Sequence, residues 1–212
     1  SKSGHPLFSA SAEALLESAQ DRRLYPSKVE LRLRACRMMM QSTEPLVLAQ
    51  ACRLIGLWKL KSMRDLLVIH LASEDTGLQR ASISGLVDLG DFEPLKRLAR
   101  DTQATAERRV NACVSLMDHD PSLAATIVAE LLTRTMSDQN VERLMGALVS
   151  SKQAITELTG SMLQAEIPTH NAIIAVRMVE TSGYWDSPLM DALSKAGSIQ
   201  STPLSMDPVH LE

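Results

Sequence analysis

Aromatic side chains are scarce in this chain of 212 residues, which contains two Phe, two Tyr and two Trp. Hydrophobic residues nevertheless make up 45% of the sequence, and Leu, Ala and Met are the most prominent among them. Straight-chain side chains lose little rotamer freedom in a helix, whereas strands favour β-branched and aromatic residues. The composition therefore predicts an all-α protein.

Paired cysteines are also missing. Cys36, Cys52 and Cys113 are odd in number, widely spaced and free of any CxxC motif. This pattern predicts neither a disulfide framework nor a zinc site, and we expect three buried free thiols. Because unpaired cysteines persist in reducing compartments, the cytoplasm is the default expectation for location.

Long apolar runs and catalytic motifs are absent from the sequence. No run of about 18 apolar residues occurs, so no membrane-spanning helix is predicted. The sequence has no glycine-rich nucleotide loop, no G-x-S-x-G and no H-E-x-x-H. We therefore predict no catalytic residue, no cofactor and no metal site, and we expect the chain not to be an enzyme. Its first and last residues, Ser1 and Leu211-Glu212, suggest a fragment of a larger protein.

Two histidine-containing segments of the sequence are candidate sites. Asp118-His119-Asp120 places carboxylates beside an imidazole, but adjacent residues on a turn rarely converge on one substrate. Asp120 is expected to cap the following helix. His70 lies beside Leu67 and Leu71 in the helical pattern and is interpreted as a core histidine.

Charge is distributed unevenly along the chain. Residues 20–64 carry ten Lys/Arg and three Asp/Glu, whereas residues 65–212 carry eleven and twenty. Basic side chains of the first region could engage an acidic partner or phosphates, although a solvated helix edge is the favoured interpretation. The net charge of −3 and the lack of interleaved aromatics argue against a nucleic-acid partner. The basic residues concerned are Arg22, Arg23, Lys28, Arg32, Arg34 and Arg37.

Apolar residues recur with a helical period along most of the chain. In one segment Val47, Ala51, Leu54, Ile55 and Trp58 form a single stripe. The same spacing in other segments predicts twelve helices, near residues 7–20, 27–41, 45–58, 59–73, 78–89, 92–101, 106–118, 121–136, 139–151, 153–165, 168–182 and 187–196.

Capping residues mark several of these boundaries. Ser27 followed by Glu30 has the spacing of a capping box. Asp120-Pro121 and Ser187-Pro188 place a capping acceptor before a proline in the first turn. Gly90 and Gly183 are predicted as helix exits.

The second predicted helix has two apolar stripes on roughly opposite sides. Such a helix is expected to be sandwiched between neighbours. One stripe consists of Val29, Leu33, Cys36 and Met40, and the other of Leu31, Ala35 and Met38.

A repeat of about 30 residues underlies the helical pattern. Its anchors are Ile55, Leu86, Leu116, Leu148 and Val176, which lie 31, 30, 32 and 28 residues apart. Helical hairpins that recur at this interval indicate a solenoid, because a stack of hairpins buries the faces that one hairpin leaves open. We therefore predict an α-α superhelix of about five to six helical hairpins.

The segment LQRASISGLVDLGD, residues 78–91, resembles the first helix and turn of a HEAT repeat. The similarity is to the short bacterial repeats of phycobilisome lyases, and it extends over residues 45–199. Residues 1–44 are interpreted as a divergent N-terminal helical hairpin that caps the array, and residues 200–212 as an irregular tail. The matching residues are Ala81, Gly85, Leu86, Leu89, Gly90 and Asp91.

The resemblance implies a non-catalytic scaffold that is part of a longer bacterial protein. This scaffold is expected to bind a protein partner on the concave face, which the second helices of the hairpins line. The polar residues expected there are Arg64, Lys96, Arg97, Arg100 and Arg134. Two alternatives stay open: a ligand- or chromophore-binding protein similar to bilin lyases, and a DNA-binding protein similar to HEAT-like glycosylases. The scarcity of aromatic residues argues against both, because conjugated ligands and unpaired bases usually contact aromatic walls.

Overall fold

The computed structural model describes residues 6–21, 25–183 and 187–199. These residues are helical and contain no strand, which confirms the predicted all-α class. A short 3-10 helix, Lys61–Met63, precedes α4. The α-helices of this part of the chain are α1 Pro6–Asp21, α2 Val29–Met39, α3 Pro45–Leu57, α4 Arg64–His70, α5 Thr76–Leu89, α6 Glu93–Arg100, α7 Ala106–Leu116, α8 Pro121–Leu132, α9 Asp138–Leu148, α10 Lys152–Met162, α11 Thr169–Thr181 and α12 Ser187–Ala196.

The chain divides into two compact units, residues 1–119 and 120–212. In the first unit α3 packs against α1, α2 and α5, and α5 packs in turn against α4 and α7. The odd-numbered helices α1, α3, α5 and α7 thus follow one another, with α6 packed against α7. Contact between corresponding helices of successive hairpins is the packing expected of a helical-repeat fold.

The second unit shows the same alternation. Helices α8, α10 and α12 pack in order, as do α9 and α11, and α11 also contacts α12. In α9 the side chains of Val141, Leu144, Met145 and Leu148 are buried, as their spacing predicts. In each unit, apolar side chains are therefore buried between successive hairpins.

The tightest helix contact of the first unit joins α3 to α5 at Gly56 and Gly85. A Cβ atom on Gly85 would lie 2.5 Å from the carbonyl oxygen of Cys52, and one on Gly56 would lie 2.6 Å from the Cα of Gly85. Real Cβ atoms do not approach neighbours this closely, so both positions require glycine. Here the two backbones themselves form the interface.

Local capping chemistry agrees with the sequence at several helix ends. The carboxylate of Asp120 accepts a hydrogen bond from the Leu123 amide at 3.2 Å, and Pro121 begins α8. Gly90 and Gly183 have φ of 75° and 73°, in the left-handed region that terminates helices. The cap predicted at Ser187 involves a side chain outside the described part.

The capping box predicted at Ser27 and Glu30 is wrong. Helix α2 begins at Val29 after Lys28, and no side chain caps its N-terminus. Glu30 is then the second residue of the helix, whereas a capping box needs the acidic side chain at the third position.

The prediction that α2 is sandwiched is also wrong. Only Cys36 and Met39 are buried in this helix, whereas Val29, Leu31 and Met38 are 42%, 51% and 50% exposed. One side of α2 packs on α3. The second apolar stripe of α2 therefore faces solvent.

Cys36, Cys52 and Cys113 are buried and form no disulfide, as predicted. Burial raises the pKa of their thiols to about 12, 11 and 12, respectively. No helix among the described residues combines the length and apolar character needed to cross a bilayer. The tail predicted for residues 200–212 lies outside the described part of the chain.

Candidate partner-binding surface

Helix α6 has one apolar and one basic side. Pro94, Leu95 and Ala99 are buried, whereas Arg97 and Arg100 are exposed. This division follows from the helical period, because residues three and four apart share a face. The sequence therefore fixes which side of α6 faces solvent.

Arg97 and Arg100 are three residues apart, so their guanidinium groups extend from one face of α6. Neither forms an ion pair within the part of the chain that the structure describes. Each guanidinium carries five N–H donors in a planar fork. We call this pair of side chains the α6 arginine pair.

Lys96, another of the predicted binding residues, precedes the pair on α6 and is half-buried. Its intermediate exposure distinguishes it from the two arginines. It is therefore not counted in the α6 arginine pair.

Arg64, at the start of α4, is engaged in internal contacts. Its Nε lies 2.5 Å from Oδ2 of Asp91, and its Nη1 lies 3.0 Å from Oδ1 of Asp65. The hydrogen bonds that Arg64 donates to these two carboxylates, the one to Asp91 first, raise the pKa of Arg64 above its ordinary value. The guanidinium lines a cavity of about 250 Å³ together with Lys61, Leu89 and Asp91.

Arg134 belongs to the second unit, where it follows α8. Its Nη2 lies 3.7 Å from Oε1 of Glu130, four residues earlier. An ion pair as exposed as this one contributes at most about 1 kcal/mol. Among the five predicted binding residues, Arg64 and Arg134 thus form ion pairs with carboxylates of the chain. The two side chains of the α6 arginine pair form none among the described residues.

Sequence reasoning missed the residue that secures α6. Arg109 of α7 is 1% exposed, and its Nε donates a hydrogen bond of 2.9 Å to the carbonyl of Ala99 in the last turn of α6. That carbonyl would otherwise lack a helical partner. A signal was present, because Arg109 occupies the apolar stripe continued by Ala112, Cys113 and Leu116.

The Asp118-His119-Asp120 segment contributes to packing and capping. The imidazole of His119 stacks on Phe92, with ring centroids 3.3 Å apart and planes inclined by 10°. Asp120 is the cap of α8. These contacts account for two of the three residues.

The other histidines differ in their surroundings. His70 is half-buried rather than a core residue, because it lies beside the stripe of Leu67 and Leu71, and burial lowers its pKa. His170 contacts Asp138 at 2.8 Å on an exposed surface, and its hydrogen bond lowers the pKa of Asp138. The structure does not describe His5 and His210. Across the described residues, no group of three or more His, Cys, Asp or Glu is arranged to hold a metal ion.

No protein-family model matches the chain, and no curated protein matches it either. The resemblance to HEAT repeats therefore rests on residues 78–91 and on the repeat interval.

Proposed function

We propose that this chain is a non-catalytic protein-interaction module built of HEAT-like helical hairpins, and that α6 binds an acidic segment of a partner protein. The observation that carries the proposal is the α6 arginine pair: two exposed guanidinium groups, one helical turn apart, without ion pairs among the described residues. In the same unit, the guanidinium of Arg64 is neutralised by carboxylates of the chain itself.

The chemistry of the pair favours carboxylates as ligands. A guanidinium and a carboxylate form two parallel hydrogen bonds, which add geometric specificity to the attraction of opposite charges. Carboxylates three or four residues apart on a partner helix have a spacing similar to that of Arg97 and Arg100. A helical acidic segment is therefore the ligand that fits this face of α6.

The packing beneath the pair supports the same role. Leu95 and Ala99 are fully buried, and Arg109 holds the carbonyl of Ala99. A binding face that is already ordered avoids part of the entropy cost of association. The α6 surface thus presents the guanidinium groups of the α6 arginine pair on a helix whose backbone is held in place by packing.

The proposal is tested by titrating the protein with a labelled helical peptide that carries glutamates four residues apart. The charge control is the same peptide with glutamines. Arg97→Glu combined with Arg100→Glu should weaken binding of the glutamate peptide about tenfold or more, equivalent to about 1.4 kcal/mol. Thermal unfolding should change little, because exposed substitutions usually alter the free energy of unfolding by less than about 0.5 kcal/mol.

A matched control reverses two exposed lysines of the second unit, Lys152→Glu with Lys195→Glu, and produces the same change in net charge. This variant should bind the peptide as the parent protein does. Equal losses in both double variants would show nonspecific attraction and contradict the proposal. So would tighter binding of duplex DNA than of the peptide across a salt series, or a saturable absorbance change with a bilin or haem that the α6 substitutions abolish.

A further inference from the structure

Helix α2 has apolar side chains on the side opposite its buried residues. Leu31 and Met38 are 51% and 50% exposed, whereas Cys36 and Met39 are buried. Because Leu31 and Met38 are seven residues apart, close to two helical turns, they share one face of α2. Ala35 lies between them on that face and is half-buried. We call Leu31, Ala35 and Met38 the outer stripe of α2.

Two arginines accompany the outer stripe. Arg34 lies three residues after Leu31 and four before Met38, so it extends from the same face as the stripe. Arg37 follows one helical turn later. Both arginines are exposed, and neither forms an ion pair within the part of the chain that the structure describes, not even with Glu30, one turn before Arg34. The outer face of α2 therefore combines exposed apolar side chains with two guanidinium groups.

The charges of this face favour an acidic partner. A guanidinium binds a carboxylate through two parallel hydrogen bonds, and exposed apolar side chains favour a ligand that has apolar side chains of its own. A helix provides both, because leucines at the heptad period pack along the outer stripe while glutamates beside them reach Arg34 and Arg37. An acidic amphipathic helix therefore matches this face in spacing and in charge.

An anionic membrane matches the same face less well. Membrane-bound amphipathic helices place their apolar side chains in the bilayer and their charged side chains along the polar edge. Arg34 lies between the two ends of the outer stripe, so insertion of Leu31 and Met38 would draw its guanidinium toward the hydrocarbon, where a charge is costly. The exposed carboxylate of Glu30 would also be repelled by anionic headgroups.

A second copy of the chain is disfavoured by the position of Arg34. Two α2 helices related by a two-fold axis would pack Leu31 of each copy on Met38 of the other. The centre of that contact falls between residues 34 and 35, so the Arg34 guanidinium groups of the two copies would lie side by side. Like charges in contact disfavour such a pair.

We propose that the outer face of α2 binds an amphipathic helix of a partner protein, with apolar side chains on the outer stripe and carboxylates on Arg34 and Arg37. This surface is separate from the α6 arginine pair. Its ligand also differs, because the α6 arginine pair requires carboxylates alone, whereas α2 requires apolar side chains as well.

The test is a fluorescence-anisotropy titration with a labelled helical peptide that has leucines in heptad spacing and glutamates beside them. The titrated protein is the full chain carrying Arg97→Glu and Arg100→Glu, which removes the charges proposed to bind peptides at α6. We expect saturable binding of the peptide by this protein. Adding Leu31→Gln with Met38→Gln should weaken the binding about tenfold or more.

The matched control removes exposed apolar side chains elsewhere. Ile69 and Ile173 are 66% and 53% exposed, and Ile69→Gln with Ile173→Gln should leave peptide binding unchanged. Neither pair of substitutions should lower the melting temperature appreciably, because exposed substitutions change stability little. The absence of saturable binding, no loss with the outer-stripe substitutions, or equal losses with the two pairs would overturn the proposal.

Charge variants test the role of the two arginines. Arg34→Gln with Arg37→Gln should weaken peptide binding about fivefold and reduce its dependence on salt. The control is Lys152→Gln with Lys195→Gln, which changes two exposed lysines of the second unit and should have no effect. A peptide with glutamines in place of glutamates should also bind more weakly. Equal or tighter binding of the glutamine peptide would overturn the proposal.

Two further measurements address the other occupants. Binding to vesicles of phosphatidylserine and phosphatidylcholine that is tighter than peptide binding, and is lost with Leu31→Gln and Met38→Gln, would overturn the proposal. So would a dimer in sedimentation equilibrium that these substitutions convert to a monomer. The result is independent of the function proposed for α6, because the protein titrated lacks the α6 arginine pair.

Discussion

Helices α2 and α5 both pack on α3, yet their contacts differ in depth. At α5 the backbones meet, because Gly56 and Gly85 leave no room for a Cβ atom. At α2 only Cys36 and Met39 of the helix are buried, and much of its apolar surface faces solvent. Both helices have apolar residues at helical spacing. The difference shows that small residues at the crossing point, more than the number of apolar residues, decide how closely a helix approaches.

The largest expected effect comes from Gly85→Ala, which would break the closer of the two contacts. The new Cβ would lie 2.5 Å from the Cys52 carbonyl oxygen, and overpacking of this kind typically costs about 1 to 3 kcal/mol. Urea denaturation followed by circular dichroism measures the change in the free energy of unfolding.

Gly146→Ala is the matched control, because a Cβ there meets only Met178 Cε at 3.7 Å. Since alanine favours the helix over glycine by about 1 kcal/mol, this variant should be slightly stabilised. Changes of the same sign in the two variants would contradict the close contact of α3 and α5.

The rates of thiol labelling should show an effect of intermediate size. They compare the contact of α2 with α3 and the contact of α3 with α5. The thiolate is the reactive form, and burial raises the pKa of Cys36 to about 12 and that of Cys52 to about 11. Native protein should therefore react slowly at pH 8. Because α2 is held by fewer buried side chains, its local opening should expose Cys36 before Cys52 becomes reactive.

We expect labelling of Cys36 to be about tenfold faster than that of Cys52, which corresponds to about 1.4 kcal/mol between the two openings. Peptide mapping by mass spectrometry measures both rates in one sample. Single variants Cys36→Ala and Cys52→Ala confirm which thiol has reacted. Equal rates would indicate that α2 and α3 open together.

The smallest effect is expected on the outer face of α2. Met38→Lys should change the free energy of unfolding by less than about 0.5 kcal/mol, because Met38 is half exposed. Its neighbour Met39 is 3% exposed, and Met39→Lys should destabilise the protein by several times that amount, since it buries an unpaired charge. Thermal unfolding of the two variants provides the comparison. Similar losses in both would show that α2 is covered on both sides, as its sequence suggests.

Much of the fold was predictable because the signals are local. The stripe of α3, the Asp120 cap and the Gly90 exit depend on residues within one helix and its ends, and the structure agrees with each of them. The repeat interval likewise follows from the apolar spacing of successive helices. These features need no knowledge of distant residues.

The features that could not be predicted depend on neighbours distant in sequence. The salt bridge of Arg64 requires Asp91, which is 27 residues away. The exposure of Leu31 depends on which helices lie beside α2, and the missing hydrogen-bond partner of Gln50 Oε1 depends on the residues that pack around it. Periodicity shows that a face is apolar or polar, but it does not show what covers that face.

The hydrogen bond from Arg109 to Ala99 has a mechanical consequence for a bound partner. A partner segment bound to Arg100 would apply force to the last turn of α6, and the ends of a helix are the parts that unwind most readily. Arg109 of α7 holds the carbonyl of Ala99, the residue next to Arg100. A force applied at Arg100 would therefore act on the packed hairpin instead of unwinding the last turn of α6.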